Sequence, residues 1–505
     1  MAELISRNPA TGDELGRVPV CTPEQVNAAV KAARMAQIEW GNLTVRQRLQ
    51  KLKKLSRILV ERSDKIARLI VAEQGKNQVE AYGETVTALE LLHFYQGHAA
   101  GLLRTRTVSP RLGILRSSRI LARPHGVVGV IAPWNYPVTL SMEPSIAALV
   151  AGNAVVLKPS EYTPLIGLKV GELVRQAGLP EGLFQVVTGD ASTGQALIAA
   201  GIDKLVFTGS AANGRKVAAL AGEYLVPVTL ELGGKDAAIV LADADLDKAA
   251  DGILWGALLN AGQACLAVER VYVVEPVAEA FIGKLTAKAA QLRTGPANDP
   301  QNEIGAITTE AQMNILQAQV ADAKQRGAKI LLGGESLPGP GRFFPPTVIT
   351  DVTEEMAVMR EETFGPIIAV QKVKDAEEAI RLTNANPYGL TASLWTRNIR
   401  GGRRLLTRLQ VGDAALNDHG TSTGYAEVGW GGRKDSGYGK TRGAEGLREM
   451  VVWQHISWPR IGGQMMGFPY SAKKVNFVRK LIRILFGNWK EKWDAIFEAN
   501  QGEHL

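Results

Sequence analysis

The chain has 505 residues, of which 46% are hydrophobic and 21% charged, with a formal net charge of +8. This is ordinary globular composition, long enough for roughly three structural units, and it excludes a collagen-like or disordered chain. Two cysteines, Cys21 and Cys265, exclude a disulfide framework and point to a reducing, cytoplasmic setting. Residues 1–20 lack the apolar run of a signal peptide, and no stretch reaches the ~18 apolar residues of a spanning helix.

Residues 23–75 read as helix, with Ala28, Ala29, Ala32, Ala33 and Ala36, then Leu49, Leu52, Leu55, Leu59, Ile66, Leu69 and Ile70, at three-and-four spacing. Residues 79–103 continue in helical register. Residues 105–124 change character, with Pro110, Gly113 and an alternation around Ile114, Ser118 and Ile120 that predicts a projecting hairpin or ribbon. From Gly126 short apolar runs alternate with helical stretches. Residues 127–132, 154–157, 184–187, 205–207 and 237–240 are strand candidates, and helices are expected at 141–151 and 165–177. A second series follows, with strands at 270–274, 329–332, 346–350, 367–373, 392–395 and 413–416. Helices at 277–292, 309–326, 376–385 and 402–409 lie between them. This rhythm predicts two α/β domains, each a parallel sheet with helices on both faces, meeting near residue 233. The 53 glycines suit the tight turns and close backbone approaches of nucleotide-binding α/β folds.

Six short motifs carry chemistry. Pro-Trp-Asn-Tyr-Pro at 133–137 follows a strand, and its two prolines stiffen the turn around Asn135. The Asn135 amide is a neutral donor suited to an oxyanion, or it serves its own backbone in an Asx-turn. Lys-Pro-Ser-Glu at 158–161 places a carboxylate just past a strand end, where it can accept ribose hydroxyls and repel a 2′-phosphate; a solvated loop charge is the alternative. Phe-Thr-Gly-Ser at 207–210 ends a strand and opens a helix, whose free backbone N–H groups suit a pyrophosphate; a plain tight turn reads the same way. Glu-Leu-Gly-Gly-Lys at 231–235 and Asn-Ala-Gly-Gln-Ala-Cys at 260–265 pair a carboxylate with a scarce thiol, a candidate base and nucleophile. Glu-Glu-Thr-Phe-Gly-Pro at 361–366 offers Glu362 and Phe364 to a nicotinamide ribose, or an acidic loop end to solvent.

Asn135, Lys158 with Glu161, Ser210, Glu231, Cys265 and Glu362 occur in the order and surroundings of the NAD(P)-dependent aldehyde dehydrogenase superfamily, which the chain resembles from about residue 8 to 457. Asn-Pro-Tyr-Gly-Leu at 386–390, the pair at 416–417 and the glycine run at 429–439 extend the likeness. The resemblance implies an α/β fold of two doubly wound parallel-sheet domains, a Rossmann-like cofactor domain and a catalytic domain, with a β-ribbon for oligomerisation. Residues 1–104 and 125–232 are the expected dinucleotide-binding domain, 105–124 the ribbon, 233–457 the catalytic domain and 458–505 an extension. It implies that Cys265 is the nucleophile, Glu231 the general base, and Asn135 with the Cys265 backbone N–H the oxyanion hole. Lys158 and Glu161 correspond to adenosine-ribose contacts, Gly209 and Ser210 to the pyrophosphate site, and Glu362 and Phe364 to the nicotinamide ribose. Ile131, Trp134, Gly189 and Leu232 complete the expected cofactor contacts. NAD is the expected cofactor, with NADP as the alternative, and a homodimer or homotetramer the expected assembly.

Bacterial succinic-semialdehyde-type members are among the similar subgroups. Some of them carry a second cysteine two residues after the nucleophile; here Ala267 stands there, so no such disulfide forms. Because Glu231 is present, hydrolysis is favoured over transfer to coenzyme A. A thiol esterase and a non-catalytic scaffold on the same fold are the competing readings. The histidines His93, His98, His125, His419, His455 and His504 show no metal-ligand spacing, so no metal is assigned. Tyr425 and Trp430 line a substrate tunnel or pack in a loop. Beyond Ser457, Val478, Leu481, Ile482 and Leu485 form an apolar stripe among Lys473, Lys474, Arg479, Lys480 and Arg483. With Phe486 and Trp489 this suits peripheral contact with an anionic membrane, or packing over a substrate funnel or a neighbouring subunit. The basic excess belongs largely to this tail and is not a nucleic-acid signature.

Overall fold

The computed structural model describes residues 2–109, 116–461 and 467–497; Pro110, Gly113, Ile114 and His504 lie outside them. The chain divides into two units, one of Met1–Arg104 with Leu121–Gln454 and one of Thr105–Ile120 with His455–Leu505.

In the first unit, an N-terminal antiparallel pair, Glu3–Arg7 and Glu14–Pro19, precedes the helices. The expected helix over 23–75 is two helices, Pro23–Asn42 and Val45–Glu73. The apolar spacing runs on across the break, but Thr44 starts a new helix: its hydroxyl accepts from the Gln47 N–H, and the Gln47 side chain accepts from the Thr44 N–H. Such a reciprocal cap satisfies amides that a helix start leaves orphaned. A third helix, Gln78–Leu102, packs beside the second.

Two sheets follow. The first runs in the order Gly437–Tyr438, Val228–Glu231, Lys204–Thr208, Val127–Ile131, Ala154–Lys158, Phe184–Val186. All neighbours are parallel except the short edge strand Gly437–Tyr438, which pairs antiparallel with Val228–Glu231. The second has seven strands, with Asp236–Val240, Val268–Val274 and Ile367–Val373 near its centre. Its edge strand Lys329–Leu332 is antiparallel and the rest are parallel. Val127–Ile131 and Asp236–Val240 are buried at every position, which explains the apolar runs at 127–131 and 237–240.

Each sheet has its own apolar core, and the change from one to the other falls between Leu232 and Ala237. The chain does not stay with the second core to its end. Ala426, Leu447, Met450 and Val451 pack in the first core, and Gly437–Tyr438 extends the first sheet. In the second unit the helices Ala472–Phe486 and Trp489–Phe497 pack on one another. Strands Arg106–Val108 and Arg116–Pro124 are antiparallel neighbours, and Val451–Pro459 lies on the other side of Arg116–Pro124. Among the described residues no helix is long and apolar enough to cross a membrane.

Candidate active site

The first sheet's strand order reverses beside Val127–Ile131: the chain goes from there to Ala154–Lys158 and Phe184–Val186 on one side, then returns to Lys204–Thr208 on the other. Open α/β sheets bind ligands at such a switch, outside the carboxyl ends of their strands. Register sets Ile131 opposite both Lys158 and Phe207, so these three residues form one row at that edge. The buried Lys158 ammonium stands 3.5 Å from the half-exposed Glu161 carboxylate. Burial pulls the Lys158 ammonium below its ordinary range, and Glu161 opposes that. Gly189 follows Phe184–Val186 and precedes the helix Ala191–Ala199. The Gly209 N–H is bonded to the Glu231 carbonyl at 3.0 Å. Ser210 is the N-cap of Ala211–Glu223, its hydroxyl accepting from the Asn213 N–H at 3.3 Å. The first-turn amides of that helix therefore face outward at the sheet's carboxyl edge. Leu232 is buried and donates its N–H to the Ser436 carbonyl.

Glu231 ends its strand, and Gly233 and Gly234 carry the chain on to Asp236–Val240. Both glycines sit at a close approach, and at Gly234 the neighbour is backbone. A Cβ on Gly233 would stand 2.2 Å from Glu362 Oε1, and one on Gly234 would stand 2.5 Å from the Cys265 carbonyl oxygen. The Gly234 N–H also donates to Glu362 Oε1 at 3.1 Å. One turn between the two sheets thus gathers Glu231, Glu362 and Cys265.

Cys265 follows the helix Leu246–Leu258 through a turn in which Asn260 and Ala261 hold φ of +55° and +54°. A left-handed residue with a Cβ costs about 1–2 kcal/mol and persists only where its surroundings fix it. Buried hydrogen bonds do so here. The Asn260 N–H donates to Glu80 Oε2 at 2.8 Å, its Nδ2 to the Asn135 carbonyl at 2.9 Å and the Gln263 carbonyl at 3.0 Å. The Asn135 amide donates to the same Gln263 carbonyl at 3.1 Å, two residues before the thiol. An amide carries two N–H bonds, so a second one remains for a ligand oxygen.

Cys265 as a residue is half-buried. Burial, then the charges of Glu231, Asp236 and Glu362, push its thiol well above the ordinary range. Glu231 is buried, and neither of its carboxyl oxygens has a hydrogen-bond partner. Burial raises its carboxyl well above the usual range, against the pull of Lys440 and Arg442. The Glu362 carboxyl is pushed up to about 8, by burial first and then by Glu269. Beside the thiol, Ala264, Leu266 and Ala267 form a small apolar cluster with Tyr136, Leu259 and Trp430.

Two buried ion pairs that the sequence did not announce hold this frame. Lys76 Nζ donates to Glu84 Oε1 at 2.7 Å and to the Asn135 carbonyl at 2.8 Å, and lies 3.5 Å from the Tyr136 ring centroid. Glu84 Oε2 accepts from the Val138 and Thr139 N–H groups and so caps the helix Thr139–Ala151. Its signal was a glutamate in the apolar stripe of Ala81, Ala88 and Leu91. The second pair is Lys235 and Glu269 at 2.7 Å. Glu269 accepts from the Thr363 and Phe364 N–H groups, which holds Phe364 at φ +53° and its ring edge-on to Trp134, centroids 5.5 Å apart.

The chain belongs to the aldehyde dehydrogenase family, whose model matches residues 2–456. It is an NAD(P)-dependent aldehyde dehydrogenase, an enzyme that oxidises an aldehyde to the carboxylic acid. A 4,4'-diapolycopene aldehyde oxidase of a Methylomonas species is 39% identical over 492 residues, covering 96% of this chain and 92% of that protein. A putative succinate-semialdehyde dehydrogenase [NADP(+)] of Mycobacterium ulcerans is 38% identical over 453 residues, covering 89% of this chain and 88% of that protein. The crystal structure of an NAD-dependent aldehyde dehydrogenase from Sinorhizobium meliloti superposes with a TM-score of 0.87 at 34% identity, covering 93% of this chain and 92% of that one.

Proposed function

We propose that Cys265 is the nucleophile, Glu231 the base that releases the product, and Asn135 the oxyanion donor. The observation that carries this reading is the Gly233–Gly234 turn, which brings the Glu231 strand end against the Cys265 backbone. The Cys265 sulfur, once deprotonated, adds to the aldehyde carbon: a C–S bond forms and the carbonyl π pair moves to oxygen. Asn135 Nδ2 and the Cys265 N–H donate to that oxyanion without ionising. The oxidised nicotinamide, when bound, brings positive charge near the thiol and accepts the hydride. The oxygen pair then re-forms the C=O bond, leaving a thioester on Cys265. Glu231 takes a proton from water, the hydroxyl adds to the thioester, the C–S bond breaks, and the electron pair returns to sulfur as the acid departs.

The chain's residues fit the dinucleotide. Lys158 and Glu161 together offer donors and an acceptor to the adenosine ribose, the Ser210 helix start offers amides to the pyrophosphate, and Glu362 offers a carboxyl to the nicotinamide ribose. Ile131, Trp134, Gly189, Gly209, Leu232 and Phe364 shape the walls. Glu161 would repel a 2′-phosphate, which favours NAD over NADP. The substrate is an apolar aldehyde, supported by the cluster of Ala264, Leu266, Ala267, Tyr136, Leu259 and Trp430 beside the thiol. The name of the Methylomonas relative fits this class, and its match leaves fewer residues of this chain uncovered than the extension after Ser457 contains.

The enzyme works as a homodimer or homotetramer, with the second unit's three strands as the ribbon. Its tail lies on an anionic membrane: Phe468, Phe486, Trp489 and Phe497 are all at least 68% exposed, among Lys473, Arg479 and Lys490. The test of the whole reading is NADH formation with a series of aldehydes. Rates should rise by roughly fourfold in kcat/KM for each methylene buried. Cys265→Ala should abolish turnover and keep NAD binding; surviving turnover refutes the nucleophile.

A further inference from the structure

His419 is buried, and its ring lies one hydrogen bond from the residue that follows Cys265: Nε2 meets the Leu266 carbonyl at 2.7 Å. A carbonyl only accepts, so Nε2 carries the proton. Burial pulls the imidazole below its ordinary range, so the ring stays neutral at pH 7. The helix Leu246–Leu258 leaves room for it, since a Cβ on Gly256 would stand 2.6 Å from His419 Cδ2.

The loop that carries the ring is fixed on both sides of it. Asn417, at φ +55°, accepts from the Thr396 N–H and donates to the Thr396 carbonyl, each at 2.9 Å. Gly420 takes φ +78°, and a Cβ there would stand 3.0 Å from Leu266 Cδ1 and 3.1 Å from Trp255 Cζ3. On the other side of the bond, the Ala267 N–H donates to the Ala264 carbonyl at 3.0 Å, so Cys265 and Leu266 are the two central residues of one β-turn. Turn types differ in the direction of the central peptide, and a flip there swings the first central residue with its side chain and N–H. In this turn the Cys265 carbonyl lies against Gly234 and the next carbonyl, of Leu266, is tied to His419. Both peptides that leave the central residues are therefore engaged from outside the turn.

We propose that His419 is a positioning residue, whose Nε2–H bond to the Leu266 carbonyl holds the turn that aims the Cys265 sulfur and the Cys265 N–H at the aldehyde. The inference rests on the reading of Cys265 as the nucleophile. His419 acts through the backbone and exchanges no proton in the reaction. Its loss is felt in the steps up to hydride transfer, where a reacting group misplaced by ~1 Å costs on the order of 10²-fold in rate. The dinucleotide contacts lie on other elements, so cofactor binding is spared.

The experiment is single-turnover NADH formation by the full chain, with enzyme in excess over aldehyde and NAD saturating, read beside NAD binding and the thermal midpoint. His419→Phe keeps a ring and removes the donor; its rate should fall by about 10–10²-fold while NAD binding stays unchanged. His419→Gln restores an N–H donor to the position of Nε2 and should recover most of that rate. Gly256→Ala keeps the imidazole but pushes it from the helix side, and should reproduce the fall; it decides the matter if His419→Phe does not fold. An unaltered rate in His419→Phe or Gly256→Ala overturns the proposal. So does a fall that His419→Gln does not repair, or one matched by an equal loss of NAD binding. Failure of the underlying reading is seen separately, because Cys265→Ala would then still form NADH.

Discussion

Asn135, the proposed oxyanion donor, is held tightly by its surroundings. Its carbonyl is held by Lys76 and Asn260 and one of its amide N–H bonds by the Gln263 carbonyl. The remaining N–H is fixed before any substrate arrives, so little reorganisation is needed when charge develops on oxygen. Asn135→Ala should lower kcat by about 10²–10³ with a much smaller change in KM, measured by steady-state kinetics over a range of aldehyde concentrations. An equal loss in ground-state binding would place the amide elsewhere in the cycle. The candidate residues stand out in the sequence because their chemistry is rare there: one thiol in a small-residue turn, one carboxylate before paired glycines, one amide between prolines. Lys76, Glu84 and Glu269 do not, because a charged side chain becomes informative only when its burial is known. His419 is equally silent; nothing in its loop says which backbone carbonyl the ring meets.

Elements behave likewise. The β-α rhythm from Gly126 onward was visible because fully buried parallel strands read as continuous apolar runs. The break at Leu43 and Thr44 was not, since the stripe on either side stays in phase and only the cap divides it. That cap is worth testing on its own. Thr44→Ala removes the hydroxyl that accepts from the Gln47 N–H and should cost about 1 kcal/mol, read from the urea midpoint of unfolding at unchanged slope. An unchanged midpoint would mean that packing of Val45–Glu73 on Gln78–Leu102, and not the cap, fixes where the helix begins. The return of residues 426–451 to the first core also escaped the sequence, because local pattern does not record which sheet a late segment joins.

For the molecule as a whole, the tail carries a property that the two sheets do not. Its exposed apolar side chains and its cations are interleaved, so contact with a surface would satisfy both at once, by burying aromatic area and by attraction to negative headgroups. Full-length enzyme should float with vesicles containing phosphatidylserine and stay behind with pure phosphatidylcholine. Lys473→Glu combined with Trp489→Ala should weaken flotation at least tenfold, since one headgroup attraction is worth ~1 kcal/mol and a buried aromatic more. Equal flotation of both forms would leave packing against protein as the use of this segment.

The proposed chemistry at the centre of the molecule has an acyl group passing from carbonyl to sulfur and waiting there for Glu231. The direct measurement is rapid mixing of Glu231→Gln with aldehyde and NAD, followed by intact-protein mass analysis. The expected result is a burst of one NADH per active site, then near-arrest, with the acyl mass retained on Cys265. Sustained turnover at the unmodified rate, or a full burst with no added mass on that residue, would contradict the covalent route.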